Sequence, residues 1–362
     1  MKRQQGFTLI ELMVSLTLGL VLISGAVLVF MNNNRSAIQD EQISRLLENG
    51  RFVIRTISRE LAMAGFWGKF LEISEMTEHD SVVVALDCGD GATPWLMDLN
   101  ALEFLNDADA ATVAAQFECI DSTTIASGSD IVAIKRVADT ATADADVLAE
   151  QLYLRTNGVA GSMYVGGGAD TPPALTGTPA SWLYRPRIFY IRDYYLEEGD
   201  NLPSLCHATL DPSTAGKMMT ECLVDGVERL QIEFGVDDDG DFVADYYTDA
   251  PSDTELGDAV AARVYVLVRS VNSVPGYTND KTYTLGSTVV AAFNDSYYRR
   301  VFNTTVVLRN PANLSGWEAD ANRETGVGVA TSTNGVGQQQ TVEPRMDHAV
   351  TGTQGHATPV AD

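Results

Sequence analysis

The chain has 362 residues, 45% of them hydrophobic, and its 24 lysines and arginines face 49 aspartates and glutamates for a formal net charge of −25. That length holds one large domain or two ordinary ones. The acidity argues against nucleic acid as a partner, because nothing would neutralise phosphates and release counterions, and against docking on anionic lipid headgroups.

At the N-terminus Lys2 and Arg3 precede Gly6, and Phe7 to Met31 then contains a single ionisable group, Glu11. As a helix at about 1.5 Å per residue this segment exceeds the roughly 30 Å hydrocarbon core of a bilayer. A secretory signal has an apolar core of roughly 7–15 residues and a small-residue cleavage site after it. Here the small-residue stop, Gly6, comes before the core. A plain anchor explains neither Gly6 nor Glu11, since a carboxylate in hydrocarbon costs a few kcal/mol and normally keeps a partner. Without such a partner Glu11 has to snorkel to the interface.

"KRQQG" followed by "FTLIELMVSLTLGLVL" resembles the prepilin motif of type IV pilins and of type II secretion pseudopilins: a basic leader, a glycine, an aromatic and a glutamate four residues later. The resemblance implies cleavage between Gly6 and Phe7 by a prepilin peptidase and N-methylation of Phe7. It also implies a register role for Glu11, which pairs with the terminal amine of a neighbouring subunit.

The pattern stays helical to about Ala64. Ile38, Leu46, Phe52, Ile57 and Leu61 recur at intervals compatible with one face, and charged residues fill much of the rest. Gly50 is a weak point, and Gly65 with Gly68 makes a stop. "LLENGRFVIRTISRELAMAGFWG" resembles the region after the anchor in PilW-type minor pilins, through Glu48, Asn49, Gly50, Arg51, Phe52, Ser58, Arg59, Leu61, Ala64, Gly65, Phe66 and Gly68. The family often carries a cysteine just beyond, where Lys69 stands here.

From residue 80 the chain reads as short strands between polar turns: 81–86, 130–137, 151–156, 187–196, 227–236, 262–270 and 297–310. Four widely spaced cysteines with no C-x-x-C suit disulfides in an exported domain rather than zinc. Proximity in sequence favours Cys88–Cys119 and Cys206–Cys222 among the three connectivities. His207, beside Cys206, is expected in a loop flanking that disulfide.

One acidic stretch, "GVDDDGDFVADYYTD", spaces Asp237, Asp239, Asp241 and Asp245 around Gly240 so that a turn brings several oxygens to one point, as calcium prefers. The competing reading is a solvated acidic hairpin turn. From Pro311 apolar residues thin out, and 318–362, with His348 and His356, reads as a flexible tail. No G-x-S-x-G, H-E-x-x-H or Walker loop occurs, and the glycines at 166–168 lack dinucleotide-binding context. The chain therefore reads as a non-enzyme that needs no cofactor, calcium aside.

The expected architecture is α+β, a long N-terminal helix packed on a β-rich, disulfide-bonded, pilin-like head. Its segments are a leader (1–6), a transmembrane or filament-core helix (7–31), an amphipathic helix (32–65), the head (66–317) and the tail (318–362). By resemblance it is a minor pilin held in the inner membrane with its head in the periplasm. It then joins other minor pilins and the major pilin in a tip complex that primes pilus assembly. Its partners are the prepilin peptidase, the inner-membrane assembly platform and a tip adhesin. A minor pseudopilin of type II secretion is the alternative with an almost indistinguishable N-terminus, and a tethered binding protein that never polymerises is a third.

Overall fold

The computed structural model describes residues 8–69, 76–82, 87–89, 95–98, 100–168 and 171–310. The Gly6–Phe7 junction, most of the strand expected at 81–86 and the tail expected over 318–362 lie outside the described residues.

Helix α1 (Leu9–Ala62, 54 residues) is about 80 Å long and begins and ends within two residues of expectation. Its two halves differ in kind. Between Leu9 and Met31 the large apolar side chains lie open, Leu9 80% and Phe30 71% exposed. From Gln42 onward a stripe is buried: Gln42, Leu46, Gly50, Val53, Ile57, Glu60 and Leu61, in steps of three and four. Ile38 and Phe52 fall off that stripe and stay 38% and 48% exposed. Phe52 stands six residues beyond Leu46, two-thirds of a turn out of phase, so the face proposed from sequence is corrected there.

Among the described residues the strands are β1 (Met76–Glu78), β2 (Leu102–Ala108), β3 (Ser129–Ile134), β4 (Leu152–Thr156), β5 (Gly161–Val165), β6 (Ala180–Leu183), β7 (Arg187–Arg192), β8 (Ser204–Leu210), β9 (Met218–Asp225), β10 (Val227–Val236), β11 (Tyr246–Thr248), β12 (Ala259–Arg269), β13 (Tyr283–Leu285), β14 (Thr288–Val290) and β15 (Arg299–Val307). Two short helices accompany them, α2 (Ala110–Gln116) and α3 (Asp253–Gly257). A central sheet runs β2-β3-β7-β8-β9, a second β11-β10-β12-β15 and a third β1-β5-β4-β6, with β13-β14 a separate hairpin.

The central sheet is buried on both faces, which makes β3 apolar at successive positions rather than alternate ones. Val132 and Ile134 join the core made by α1, β10 and β12, where Val53, Ile57 and Leu61 meet Ile232, Phe234, Val264 and Val266. Ile131 and Ala133 turn the other way, into a second core with the third sheet and α2 that holds Leu154, Met163, Val113 and Phe117. The disulfides pair Cys88 with Cys119, beside that second core, and Cys206 with Cys222 across β8 and β9, where the two cysteines are ladder partners. Each closed loop restricts the unfolded chain enough to contribute about 3 kcal/mol. His207 sits within β8, not in a loop. Its ring is buried and its Nε2 meets Glu221 at 3.2 Å. Burial pushes its pKa down, with Arg187 adding to the effect.

Candidate functional site

The helix start is a capping box. Thr8 Oγ1 accepts from the Glu11 backbone N–H at 3.4 Å, and the Thr8 backbone N–H donates to Glu11 Oε2 at 2.9 Å. The Thr8 hydroxyl donates to the same Oε2 at 2.9 Å. Glu11 therefore closes its own helix terminus with one oxygen, and among the described residues Oε1 has no partner. One oxygen remains for an outside donor, four residues from Phe7. The Thr-x-x-Glu signature of such a box stands in the sequence at Thr8 and Glu11.

α1 is the one helix among the described residues long and apolar enough to cross a membrane, and none of the described residues packs on the part that qualifies. What holds the helix to the head begins at Gln42 and runs on through the stretch that resembles PilW-type pilins. Arg45 Nη2 reaches Asp225 Oδ2 at 2.8 Å, and Asn49 Nδ2 donates to Asp225 Oδ1 at 2.8 Å and to its carbonyl at 2.9 Å. Gly50 takes the ring of Phe302 flat against the helix backbone, so it is a docking point rather than a weak one. Glu60, buried at 4% exposure, is held by Arg136 through two bonds of 2.7 and 2.8 Å and by Arg187 at 2.6 Å. Burial works against its charge, but the two guanidinium groups outweigh it and keep its pKa below the ordinary range.

The chain then turns at Gly65 and Gly68, with φ of 70° and 71°, the left-handed region that favours glycine. The Gly65 N–H donates to the Lys135 carbonyl at 3.1 Å, and Asn310 Nδ2 donates to the Ala64 carbonyl at 2.9 Å. The end of the last strand is thereby fastened to the end of the helix. Glu60, Asp225 and Phe302 were not singled out from the sequence, because each acts through a partner far along the chain.

Between β10 and β11 the acidic stretch forms a tight loop. Carboxylate oxygens of Asp237, Asp239 and Asp245 lie within 4.8 Å of one another. Asp241 is not in that group: its Oδ1 accepts from the Val243 N–H at 2.8 Å. Asp237 accepts from the N–H groups of Gly240 and Phe242, both at 2.7 Å. Burial works against the charge of Asp237, but the backbone N–H groups around it together outweigh burial and lower its pKa, whereas repulsion from Asp241 raises that of Asp239. The loop is closed by its own backbone and holds one strained carboxylate pair.

A model for type IV pilus-assembly protein W (PilW) matches residues 193–310, and one for the prokaryotic N-terminal methylation motif matches residues 1–27. No curated protein matches the chain. A solved type IV-like pilin from Thermus thermophilus is similar with a TM-score of 0.33 and 11% identity, over 74% of this chain and 98% of its own. The PilW match thus covers the last strands of the head and the methylation-motif match the start of α1, while the stretch 46–68 lies in neither. Residues 193–310 also include Asp225, Phe302 and Asn310, part of the head's side of the seam with α1, whereas Arg136 and Arg187 lie outside that match.

Proposed function

We propose that this chain, with the methylation motif at its start and the PilW match over its last strands, is a minor pilin of a type IV pilus that acts in the priming and tip complex. The observation that carries this is the division of α1. Its first half is apolar and packs on none of the described residues of the head, while its second half is locked into the head by Asn49, Gly50 and Glu60. A segment so exposed needs lipid or neighbouring helices around it. A rigid seam lets it move from one to the other without disturbing the head.

On this reading prepilin peptidase cuts after Gly6, and the protein waits in the inner membrane with its head in the periplasm. On extraction by the assembly platform, Glu11 meets the Phe7 amine of a neighbour while Thr8 holds the carboxylate. Other minor pilins, the major pilin and a tip adhesin are the partners. The match over 193–310 supports a pilus rather than a type II secretion pseudopilus. No step in this role calls for catalysis.

The test is Glu11→Ala in the cell. Processed protein is expected at normal levels in the membrane, with surface pili reduced and the variant missing from sheared fibres. Normal incorporation of the variant refutes the register role. Normal pilus numbers on deletion of the whole gene refute the priming role.

A further inference from the structure

Lys135 follows Ile131 and Ala133 towards the second core, and its side chain is 1% exposed. A lysine almost never lies so deep without a partner. Its Nζ is 2.7 Å from Glu103 Oε1, 2.8 Å from the Asp98 carbonyl oxygen and 4.2 Å from the centre of the Trp95 ring. Glu103 stands on β2, opposite Ala133, and its other oxygen, Oε2, accepts the Trp95 Nε1–H at 3.0 Å. The Lys135 backbone N–H donates to the Ala101 carbonyl, so both side chains spring from paired backbone. As an ion pair the arrangement is costly, because two charges leave water and an ammonium brings three N–H donors. Among the described residues two acceptors meet them, the Asp98 carbonyl and Glu103 Oε1.

An amide between the two groups matches the site more closely. It carries one N–H, for the Asp98 carbonyl, and one C=O, for the Trp95 indole N–H. No charge then stays buried. We propose that Lys135 Nζ and Glu103 Cδ are joined by an intramolecular isopeptide bond, formed in the folded protein without an enzyme. The bond ties the edge strand β2, whose register shifts between Leu105 and Ala108, to β3.

The reaction balances with water as its only by-product. One proton passes from Nζ to Oε1, leaving a neutral amine beside a carboxylic acid. Burial favours that form, pushing the Lys135 pKa down against the pull of Glu103, Asp98 and Asp87. The Nζ lone pair attacks Cδ, and negative charge gathers on Oε2, where the Trp95 N–H already donates. A second proton then moves from Nζ to Oε1, the Cδ–Oε1 bond breaks, and the C=O re-forms at Oε2. Water leaves on the side of Glu103, whose side chain is 16% exposed. Groups held in such contact react at effective concentrations of about 10⁵ M or more, which also favours the amide over its hydrolysis.

The test is mass spectrometry of the full-length protein, purified in detergent, reduced, alkylated and digested with trypsin. No lysine or arginine occurs between Lys69 and Lys135, so both residues fall in one peptide. That peptide is expected to run from Phe70 to Arg136, because trypsin does not cut after an acylated lysine, and to be lighter than its sequence by one water. Breaking its backbone between Glu103 and Lys135 should release no separate fragments. This distinguishes the ring from loss of water at Asp90–Gly91, where an aspartyl imide also forms. Lys135→Arg keeps the charge, cannot make the bond and should regain the water. In pulse-labelled cells Trp95→Phe should slow closure about a hundredfold, the usual loss for one oxyanion donor. A peptide of full mass, cut after Lys135, overturns the inference, and so does a missing water that persists in Lys135→Arg. Closure of Trp95→Phe at the parent's rate overturns the part assigned to its indole.

Discussion

The ring of Phe302 on β15 lies against the backbone of Gly50 on α1, where an added Cβ would fall inside the ring's contact distance. Alanine is about 1 kcal/mol better than glycine in an open helix. Here that preference is reversed, because the helix and strand must separate or the ring must leave its place. Gly50→Ala is expected to destabilise the head by about 1–3 kcal/mol, the usual cost of overpacking. Combining it with Phe302→Ala should restore part of the loss, since the second change removes the obstacle. Chemical denaturation of the four proteins in a double-mutant cycle measures this. Additive losses mean that the two residues do not touch.

Glu60 sets a second condition on the seam. Removing one member of a buried, hydrogen-bonded ion cluster leaves the others charged in a place water does not reach. Such losses run to about 3–5 kcal/mol. Glu60→Ala strands Arg136, itself 4% exposed, and Arg187. We expect a loss of that size, with a smaller one for Arg187→Ala because Arg187 is partly open. The pH sign follows from the lowered pKa of Glu60. The stabilisation is present above the unfolded-state pKa, near 4.5, and disappears as pH falls through the folded-state value. Urea denaturation between pH 3 and 7 should show a steep acid loss in the parent that is blunted in Glu60→Gln.

How much of this was legible beforehand divides along the range of the interactions. The helix, its stop at Gly65 and Gly68 and the strands of β10 and β12 follow from periodicity and local turn chemistry, which act within a few residues. β2, β5, β6, β8 and β9 were not recognised. β9 reads "MMTECLVD" and β2 "LEFLNDA", both with polar residues where a buried strand is expected to be apolar, because both are edges. At the site, the resemblance named Asn49 and Gly50 without saying what they do. That needed Asp225 and Phe302, some 176 and 252 positions away in the chain. Glu60 looked like one more surface charge until Arg136 and Arg187 were placed beside it.

The acidic loop makes a prediction about calcium. Repulsion from Asp241 raises the pKa of Asp239, and a divalent cation among Asp237, Asp239 and Asp245 relieves such repulsion. Open extracellular calcium sites bind at about 10⁻⁴–10⁻³ M. Several millimolar calcium should therefore raise the melting temperature by a few degrees, with reversal by a chelator. Asp239→Asn should abolish the shift. Superimposed melting curves with and without calcium show that the loop is an acidic turn and no more.

Asp130 sets a pH dependence of the opposite sign. It stands at 0% exposure on β3, where its carboxylate accepts the Ile232 N–H at 2.7 Å and the Asp107 N–H at 3.0 Å. It thereby pins β10 and the bulge of β2 to the central sheet. Burial raises its pKa to about 8 in spite of both donors. A carboxyl with a folded pKa above its unfolded value near 3.8 binds more protons folded than unfolded between those limits. Stability then falls as pH rises from about 4 to 8. Asp130→Asn removes this titration. It also sets an amide NH₂ against one of the two N–H donors and leaves that donor without an acceptor, at a cost of about 1–3 kcal/mol. The variant should thus be less stable than the parent at pH 5, with the gap narrowing towards pH 8. Urea denaturation at half-unit steps of pH measures both curves, and parallel curves would show that Asp130 does not titrate in that window.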